Sequence, residues 1–97
     1  MADAFIIAAR RTAVAPRNGA FKALEIQDLS TPVIQALLSD VGLSASDVDE
    51  LILSNALGAG GNPARVAALA AGLPLSVAGL SIDRQCVGGL DLSLIHI

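Results

Sequence analysis

The sequence contains no Trp or Tyr, only two Phe and a single cysteine among its 97 residues. Without aromatic rings on which bases can stack, and with a net charge of -3, the chain offers no basic nucleic-acid-binding surface. One cysteine cannot close an internal disulfide, and the N-terminus lacks the basic and apolar regions of a secretory signal. These absences predict a cytoplasmic protein that does not bind nucleic acid.

Charged residues are also scarce, at 15% of the chain against 54% apolar residues. Residues 66–82 carry no charge at all, a length close to the lower limit for crossing a bilayer. Gly72 and Pro74 interrupt this stretch, however, and Ala, Gly and Ser dominate it. We therefore expect two elements joined by a turn and no membrane span, and we expect further structure to cover the apolar excess.

Three short apolar runs, at residues 4–9, 51–57 and 77–82, predict strands that are buried on both faces. Helical patterns separate these runs, so strands alternate with helices along the chain. That order predicts the α/β class, in a single domain with a parallel or mixed sheet and helices on its faces.

The first helical pattern starts near Ser30 and stops at Gly42, and the second runs from Pro63 to about Ala71. A capping-box spacing at residues 44–47 predicts a single turn between the first helix and the second strand. The last segment begins like a third helix but shows no cap or polar stop. The chain therefore resembles a domain that is cut off partway.

Cys86 follows the third apolar run and precedes two glycines, where a strand-to-helix turn would expose its side chain at a helix N-terminus. Such a position favours the thiolate, and the amides of Gly88 and Gly89 could stabilise an oxyanion as a substrate carbonyl approaches. The alternative is a small apolar side chain packed in the interior. A cysteine between Arg84 and two glycines fits a packed helix poorly, but these residues alone leave both interpretations open.

The segment SIDRQCVGGL at residues 81–90 closely resembles the nucleophile segment of thiolases, the acyl-CoA acyltransferases. Three upstream motifs are similar to the same family in the same order. They are Arg11-Thr12 followed by GAF at residues 19–21, VDELIL at residues 48–53, and NPAR at residues 62–65 before an Ala-rich helix. The resemblance covers nearly the whole chain and implies that Cys86 is the catalytic nucleophile.

The resemblance implies that Cys86 takes an acyl group from an acyl-CoA or 3-ketoacyl-CoA and passes it to CoA or to an acetyl-CoA enolate. It also implies part of the N-terminal half of a thiolase-like layered αβαβα fold, with a mixed sheet and flanking helices, in a full-length homodimer or homotetramer. Acyl-CoA and CoA would be substrates, with no bound cofactor. The activating histidine, a second cysteine and the oxyanion-site motifs of the family would lie beyond this chain. His96 cannot replace them, because ten residues of helix rise about 15 Å.

The end of the chain departs from the family pattern. Residues 92–97 resemble no thiolase segment, so we expect residues 1–97 to be a truncated N-terminal domain with a non-native tail at about 92–97. Val87 differs from the serine or glycine that is more usual after the family's cysteine, which leaves the acyl preference open. We expect this fragment alone to show weak alkylation and negligible turnover, since its activating groups are absent.

Two further motifs invite binding interpretations that their spacing does not support. The loop GAGGNP at residues 58–63 opens a helix, but Pro63 stands where a dinucleotide fingerprint needs its third glycine. Asp47, Asp49 and Glu50 match no calcium loop, and no His or Cys pair has zinc spacing. We predict no metal and no nucleotide cofactor, and we interpret Arg65 as a structural or interface partner.

Two alternative functions remain at this level. A ketoacyl-synthase-like condensing enzyme of the same fold also uses a cysteine at a helix start, although the NPAR motif favours thiolase. A non-catalytic fragment that associates with itself through an exposed apolar sheet is the other alternative.

Overall fold

The computed structural model describes residues 3–58 and 60–97. Its elements follow in the order α1 (Ile26–Val41), a 3-10 turn (Ala45–Asp47), β1 (Glu50–Ser54), α2 (Pro63–Ala70), β2 (Ala78–Ile82) and α3 (Gly88–His96). Strands and helices alternate from β1 onward. The α/β class predicted from the sequence is therefore confirmed.

The two strands form a parallel pair in which Glu50 lies opposite Ala78 and Ser54 lies opposite Ile82. The Asn55 amide extends the ladder by donating to the Ile82 carbonyl at 2.8 Å. Parallel neighbours need a crossover connection, and α2 supplies it. As a result, the carboxyl ends of both strands meet at one edge of the sheet, just before α3.

Helix α2 lies at the centre of the fold, in contact with α1, β1 and β2. Its inward residues Ala64, Ala67 and Ala68 are fully buried, and small side chains there let the helix approach the strands closely. The buried cluster is completed by Ala71, Leu73 and Val77, against which partly buried residues of α1, the 3-10 turn and β1 pack. Val77 is the largest side chain that is fully buried, so the core is small.

Helix α1 begins at Ile26 rather than near Ser30, because a local exchange of hydrogen bonds caps it earlier. The Glu25 amide donates to Asp28 Oδ2 at 2.9 Å, and the Asp28 amide donates to the Glu25 carbonyl at 3.1 Å. Pro32 therefore lies inside the helix and not at its first position. The helix ends as predicted, with Gly42 in the left-handed region at φ 67°.

The strand predicted at residues 4–9 is wrong: these residues belong to no strand or helix. A strand is held by hydrogen bonds to a neighbouring strand, and within residues 3–58 and 60–97 the sheet consists of β1 and β2 alone. Without a partner, Phe5, Ile6 and Ile7 stay 81%, 91% and 67% exposed. The apolar run is therefore neither a strand nor buried in this structure.

Residues 3–24, called the N-terminal segment below, are attached to α1 by a bidentate ion pair. Arg10 Nε donates to Asp40 Oδ2 at 2.6 Å, and its Nη2 donates to Asp40 Oδ1 at 2.9 Å. Hydrogen bonding from Arg10 holds the pKa of Asp40 below its ordinary value, and the same bond raises the pKa of Arg10. Because both groups are exposed, this pair is a weak anchor.

The remaining boundaries differ from the predicted ones by a few residues. Strand β1 ends at Ser54, before the predicted limit of residue 57. Helix α2 and strand β2 match their predictions to within one residue at each end, and the predicted turn at residues 44–47 is present. In the part of the chain that the structure describes, no helix has the length and apolar character needed to cross a bilayer.

Candidate active site

Cys86 lies on the connection between β2 and α3, after the strand ends at Ile82 and before the helix begins at Gly88. Its side chain is free of any disulfide and exposed to solvent. The connection sits at the edge where the carboxyl ends of both parallel strands meet, which is where open α/β sheets commonly bind ligands. A packed interior position, the alternative considered for this cysteine, is not what the structure has.

Residues 83–87, called the Cys86 turn below, adopt a tight conformation. Gln85 has φ 50°, in the left-handed region that costs a side-chain-bearing residue about 1–2 kcal/mol. The Asp83 carboxylate compensates in part, because its Oδ1 accepts the Gln85 amide at 3.0 Å. The Val87 amide then donates to the Arg84 carbonyl at 3.2 Å. This strained residue directly before the cysteine turns the chain and exposes the sulfur.

Gly88 is buried and forms the contact between α3 and β1. A Cβ added at this position would overlap Ser54 Oγ and lie 2.9 Å from Ser54 Cβ. Glycine is therefore required here by packing, whereas the sequence suggested that it leaves room for a substrate carbonyl. Gly89 differs, because an added Cβ would meet nothing within 4 Å. The open approach beside the cysteine is at Gly89.

The backbone amides near Cys86 are partly engaged within the turn. The Gly88 amide donates to the Gln85 carbonyl over a long 3.4 Å, and the Asp91 amide donates to the Val87 carbonyl at 3.1 Å. Gly88 is therefore not a free oxyanion donor in this structure. The N-terminus of α3 still presents its dipole to the turn, an effect of about 0.3–1 kcal/mol on a nearby anion.

An ion pair spans the cysteine. Arg84 Nε lies 3.1 Å from Asp91 Oδ2, joining the residue two positions before Cys86 to the first turn of α3. Surface pairs of this kind contribute about 0–1 kcal/mol to stability. The sequence places Arg84 near the cysteine but does not specify its partner, because the pairing depends on where α3 begins.

The single histidine of the chain, His96, cannot act as a general base for Cys86. It lies at the C-terminal end of α3, whereas Cys86 precedes the N-terminal end. Asp83 and Asp91 are occupied by the Gln85 amide and by Arg84. Among residues 3–58 and 60–97, none of these three side chains is therefore placed as a base for the Cys86 thiol.

A network around Asn62, predicted from the sequence only as a helix cap, fixes α2 against β2. Asn62 Oδ1 accepts the Arg65 amide at 3.1 Å and the Ser81 hydroxyl at 2.5 Å, and its Nδ2 donates to the Gly79 carbonyl at 2.9 Å. The Arg65 guanidinium donates to the carbonyls of Val77 and Leu75, at 2.6 and 3.1 Å. These bonds support the structural role expected for Arg65 and hold the strand that leads to Cys86.

The other candidate binding motifs hold no such arrangement. In the GAGGNP motif, Asn62 is the cap of α2 and Pro63 is the first residue of that helix, while residue 59 lies outside the described residues. Within residues 3–58 and 60–97, no three His, Cys, Asp or Glu side chains are grouped to hold a metal ion. A cavity of about 570 Å³ lies along residues 9–13 of the N-terminal segment, away from the Cys86 turn.

Comparison with known proteins adds to this geometry. The profile described as "Thiolase, N-terminal domain" matches residues 4–93. The chain is 48% identical over 89 residues to a putative acetyl-CoA C-acetyltransferase, YhfS, of Bacillus subtilis, covering 92% of this chain and 24% of that protein. It is 44% identical over 92 residues to an acetyl-CoA acetyltransferase of Pseudomonas aeruginosa, covering 93% and 23%.

A third relative is the putative acetyl-CoA C-acetyltransferase VraB of Staphylococcus aureus, 43% identical over 91 residues, with 94% of this chain and 24% of that protein covered. The chain thus spans about a quarter of the length of the curated relatives it matches. The matched profile takes in both strands and the Cys86 turn. With nearly all of its residues matched, the chain belongs to the thiolase family.

Proposed function

We propose that the protein containing this chain is an acyltransferase of the thiolase type and that Cys86 carries the acyl group during the reaction. The main support is the position of Cys86, exposed on a strained strand-to-helix turn at the carboxyl edge of a parallel sheet. Relatives that share 43–48% of the aligned residues are named as acetyl-CoA acetyltransferases.

In the first half of the reaction, the Cys86 thiolate attacks the thioester carbon of an acyl-CoA and forms a tetrahedral intermediate with charge on oxygen. The bond from that carbon to the CoA sulfur then breaks, and the leaving sulfur takes up the proton that a base removed from Cys86. The products are an acylated Cys86 and free CoA. In the second half, the enolate carbon of acetyl-CoA attacks the acyl carbon, its bond to the Cys86 sulfur breaks, and a 3-ketoacyl-CoA is released. In the opposite direction, Cys86 attacks the 3-keto carbon of a 3-ketoacyl-CoA, the C2–C3 bond breaks to give acetyl-CoA after protonation, and the acyl group then passes to CoA.

Residues of this chain supply the nucleophile, its exposed turn and the N-terminal dipole of α3. The dipole contributes about 0.3–1 kcal/mol, and an ordinary thiol is only a few per cent thiolate at neutral pH. Most of the activation must therefore come from a base and oxyanion donors in the remainder of the protein. We expect the 97-residue chain alone to alkylate slowly and to turn over negligibly.

The proposal extends to the setting of the reaction. The substrate is an acyl-CoA thioester, CoA is the co-substrate, and neither a metal nor a bound cofactor is needed for a displacement at a thioester carbon. We propose a cytoplasmic enzyme that works as a homodimer or homotetramer. We also propose that residues 92–97 are a non-native tail. Sequencing across residue 91 tests this directly.

The decisive experiment incubates the complete protein that carries this segment with acetyl-CoA and analyses its peptides by mass spectrometry. An acetyl group should appear on the peptide containing Cys86, and Cys86→Ala should abolish it. Asp49→Asn is a matched surface control at the opposite end of β1 and should leave the label unchanged. An acetyl label that persists in Cys86→Ala would show that another residue carries the acyl group.

Self-association of the fragment is a second candidate, favoured by one observation. Phe5, Ile6 and Ile7 expose most of their surface in a segment whose apolar pattern is typical of a buried strand. Size-exclusion chromatography of the 97-residue chain tests whether it self-associates. Concentration-dependent oligomers support association through this segment, and a monomer at all concentrations rules it out.

A further inference from the structure

Arg84 and Asp91 lie on either side of Cys86 and form an ion pair at 3.1 Å. We propose that Asp91 is a positioning residue for acyl transfer, which holds Arg84 and thereby fixes the Cys86 turn. This inference rests on the function proposed above. Asp91 acts through Arg84 and the backbone, without contact to the substrate.

The Cys86 turn needs such a constraint because its own bonds are few and exposed. Gln85 occupies the left-handed region at φ 50°, which residues with a side chain enter at an energetic cost. The backbone bonds that close the turn measure 3.2 Å from Val87 to Arg84 and 3.4 Å from Gly88 to Gln85. The 3.4 Å bond is at the weak end of the hydrogen-bond range and lies next to a residue in an unfavourable conformation, so the ion pair of Arg84 with Asp91 adds a further constraint on the turn.

Asp91 is the firmer end of the ion pair. Its backbone amide donates to the Val87 carbonyl at 3.1 Å, and its side chain is 30% exposed, against 63% for Arg84. The helix that carries Asp91 is itself held at Gly88 against Ser54 of β1. Strand β1 therefore holds α3, α3 holds Asp91, and Asp91 in turn holds Arg84 in the Cys86 turn.

The size of the expected effects distinguishes positioning from general stability. An exposed ion pair changes a folding equilibrium by up to about fivefold. A displacement of about 1 Å at a reacting group, in contrast, lowers a rate by about 100-fold. If the pair positions the sulfur, its loss should slow acyl transfer more than it weakens the fold.

The test uses the complete protein with Asp91→Asn, Arg84→Gln and the double variant, and measures single-turnover acetylation of Cys86 by acetyl-CoA. Each single variant should slow acetylation about tenfold, with the half-saturating acetyl-CoA concentration unchanged. The double variant should be no slower than either single one, because both substitutions break the same contact. Asp91→Glu should recover most of the rate, and Asp49→Asn should not alter it.

The positioning role is overturned if the rate losses of the two single variants multiply in the double variant. It is also overturned if Asp91→Asn is acetylated at the unsubstituted rate. Amide hydrogen exchange at Val87 and Gly88 decides the same question without any reaction. Faster exchange, up to about fivefold and equal in all three variants, supports the inference, and unchanged exchange overturns it. If the unsubstituted protein takes no acetyl group on Cys86, the proposed function fails while the exchange result still decides whether the pair fixes the turn.

Discussion

The α2 and β2 region and the N-terminal segment are both rich in apolar residues, yet only the first is tightly held. Four alanines of α2 and its end are buried, and the Asn62 side chain caps the helix and makes two hydrogen bonds to the strand. The N-terminal segment is attached to α1 by the exposed ion pair of Arg10 with Asp40, and its apolar side chains Phe5, Ile6 and Ile7 face solvent. Apolar character alone therefore does not place a segment in the core; a paired backbone and matching surfaces do.

The strongest test of this difference is a side chain at Gly79, where the backbone of β2 passes close to the backbone of α2. A Cβ there would lie 2.5 Å from the Arg65 backbone nitrogen and 2.7 Å from its Cα, and backbone atoms cannot rotate away. Gly79→Ala should lower the free energy of unfolding by about 3 kcal/mol, at the upper end for overpacking. Chemical denaturation measures this loss, and Gly60→Ala, where a Cβ meets nothing within 4 Å, is the control. Equal stability of the two variants would contradict the close approach.

Removal of the Asn62 side chain should have the next largest effect. Asn62→Ala deletes the cap of α2 and leaves the Ser81 hydroxyl and the Gly79 carbonyl without this partner, at an expected cost of about 1–2 kcal/mol. Asn62→Asp keeps the acceptor for the Arg65 amide but loses the bond to Gly79, so its cost should be smaller. Denaturation midpoints of the three proteins give the order, and an Asp variant as unstable as the Ala variant would assign the loss to Gly79.

Disturbing the contact of α3 with β1 should lower stability less than the two changes above. The adjacent residues Gly88 and Gly89 provide a variant and its matched control. Gly88→Ala forces a Cβ against Ser54 and should cost about 1 kcal/mol, since the serine hydroxyl can rotate but its Cβ must shift. Gly89→Ala enters open space and should be neutral or stabilising, because alanine favours a helix. Hydrogen exchange across α3 and the rate of Cys86 alkylation should change in the first variant only.

The smallest effect is expected for the ion pair of the N-terminal segment, and it depends on pH. Because hydrogen bonding to Arg10 lowers the pKa of Asp40, the pair contributes above the ordinary carboxyl pKa and is lost as the pH falls through the lowered value. Limited proteolysis within residues 3–24 should therefore accelerate below about pH 4 and stay constant from pH 5 to 8. Asp40→Asn should show the faster cleavage at every pH, and a cleavage rate with no pH dependence in the unsubstituted chain would exclude this anchor.

Local sequence signals predicted the elements whose ends are set locally. Pro63 and Gly72 mark the ends of α2, and Gly42 ends α1 in the left-handed conformation that glycine favours. The start of α1 was missed because Glu25 is an uncommon cap, whose bond to Asp28 becomes visible only in the structure. The strand at residues 4–9 failed for a different reason: pairing depends on a neighbour that no local pattern specifies.

The candidate site was predicted in the same partial way. An apolar run before Cys86 and glycines after it were sufficient to place the cysteine between a strand and a helix. The left-handed Gln85, the ion pair of Arg84 with Asp91 and the contact of Gly88 with Ser54 all depend on distances in the folded chain. No sequence signal distinguishes Gln85 from its neighbours, because glutamine has no preference for that conformation.

The contact between Gly88 and Ser54 limits how the cysteine motif can be transplanted. Residues 81–90 contain Cys86 and the start of α3, but the residue against which that helix packs, Ser54, belongs to β1, which precedes α2 in the chain. Grafting these ten residues into another scaffold would therefore transfer the Cys86 thiol without the strand contact that positions its helix. A successful graft needs a neighbouring strand whose last residue is as small as serine.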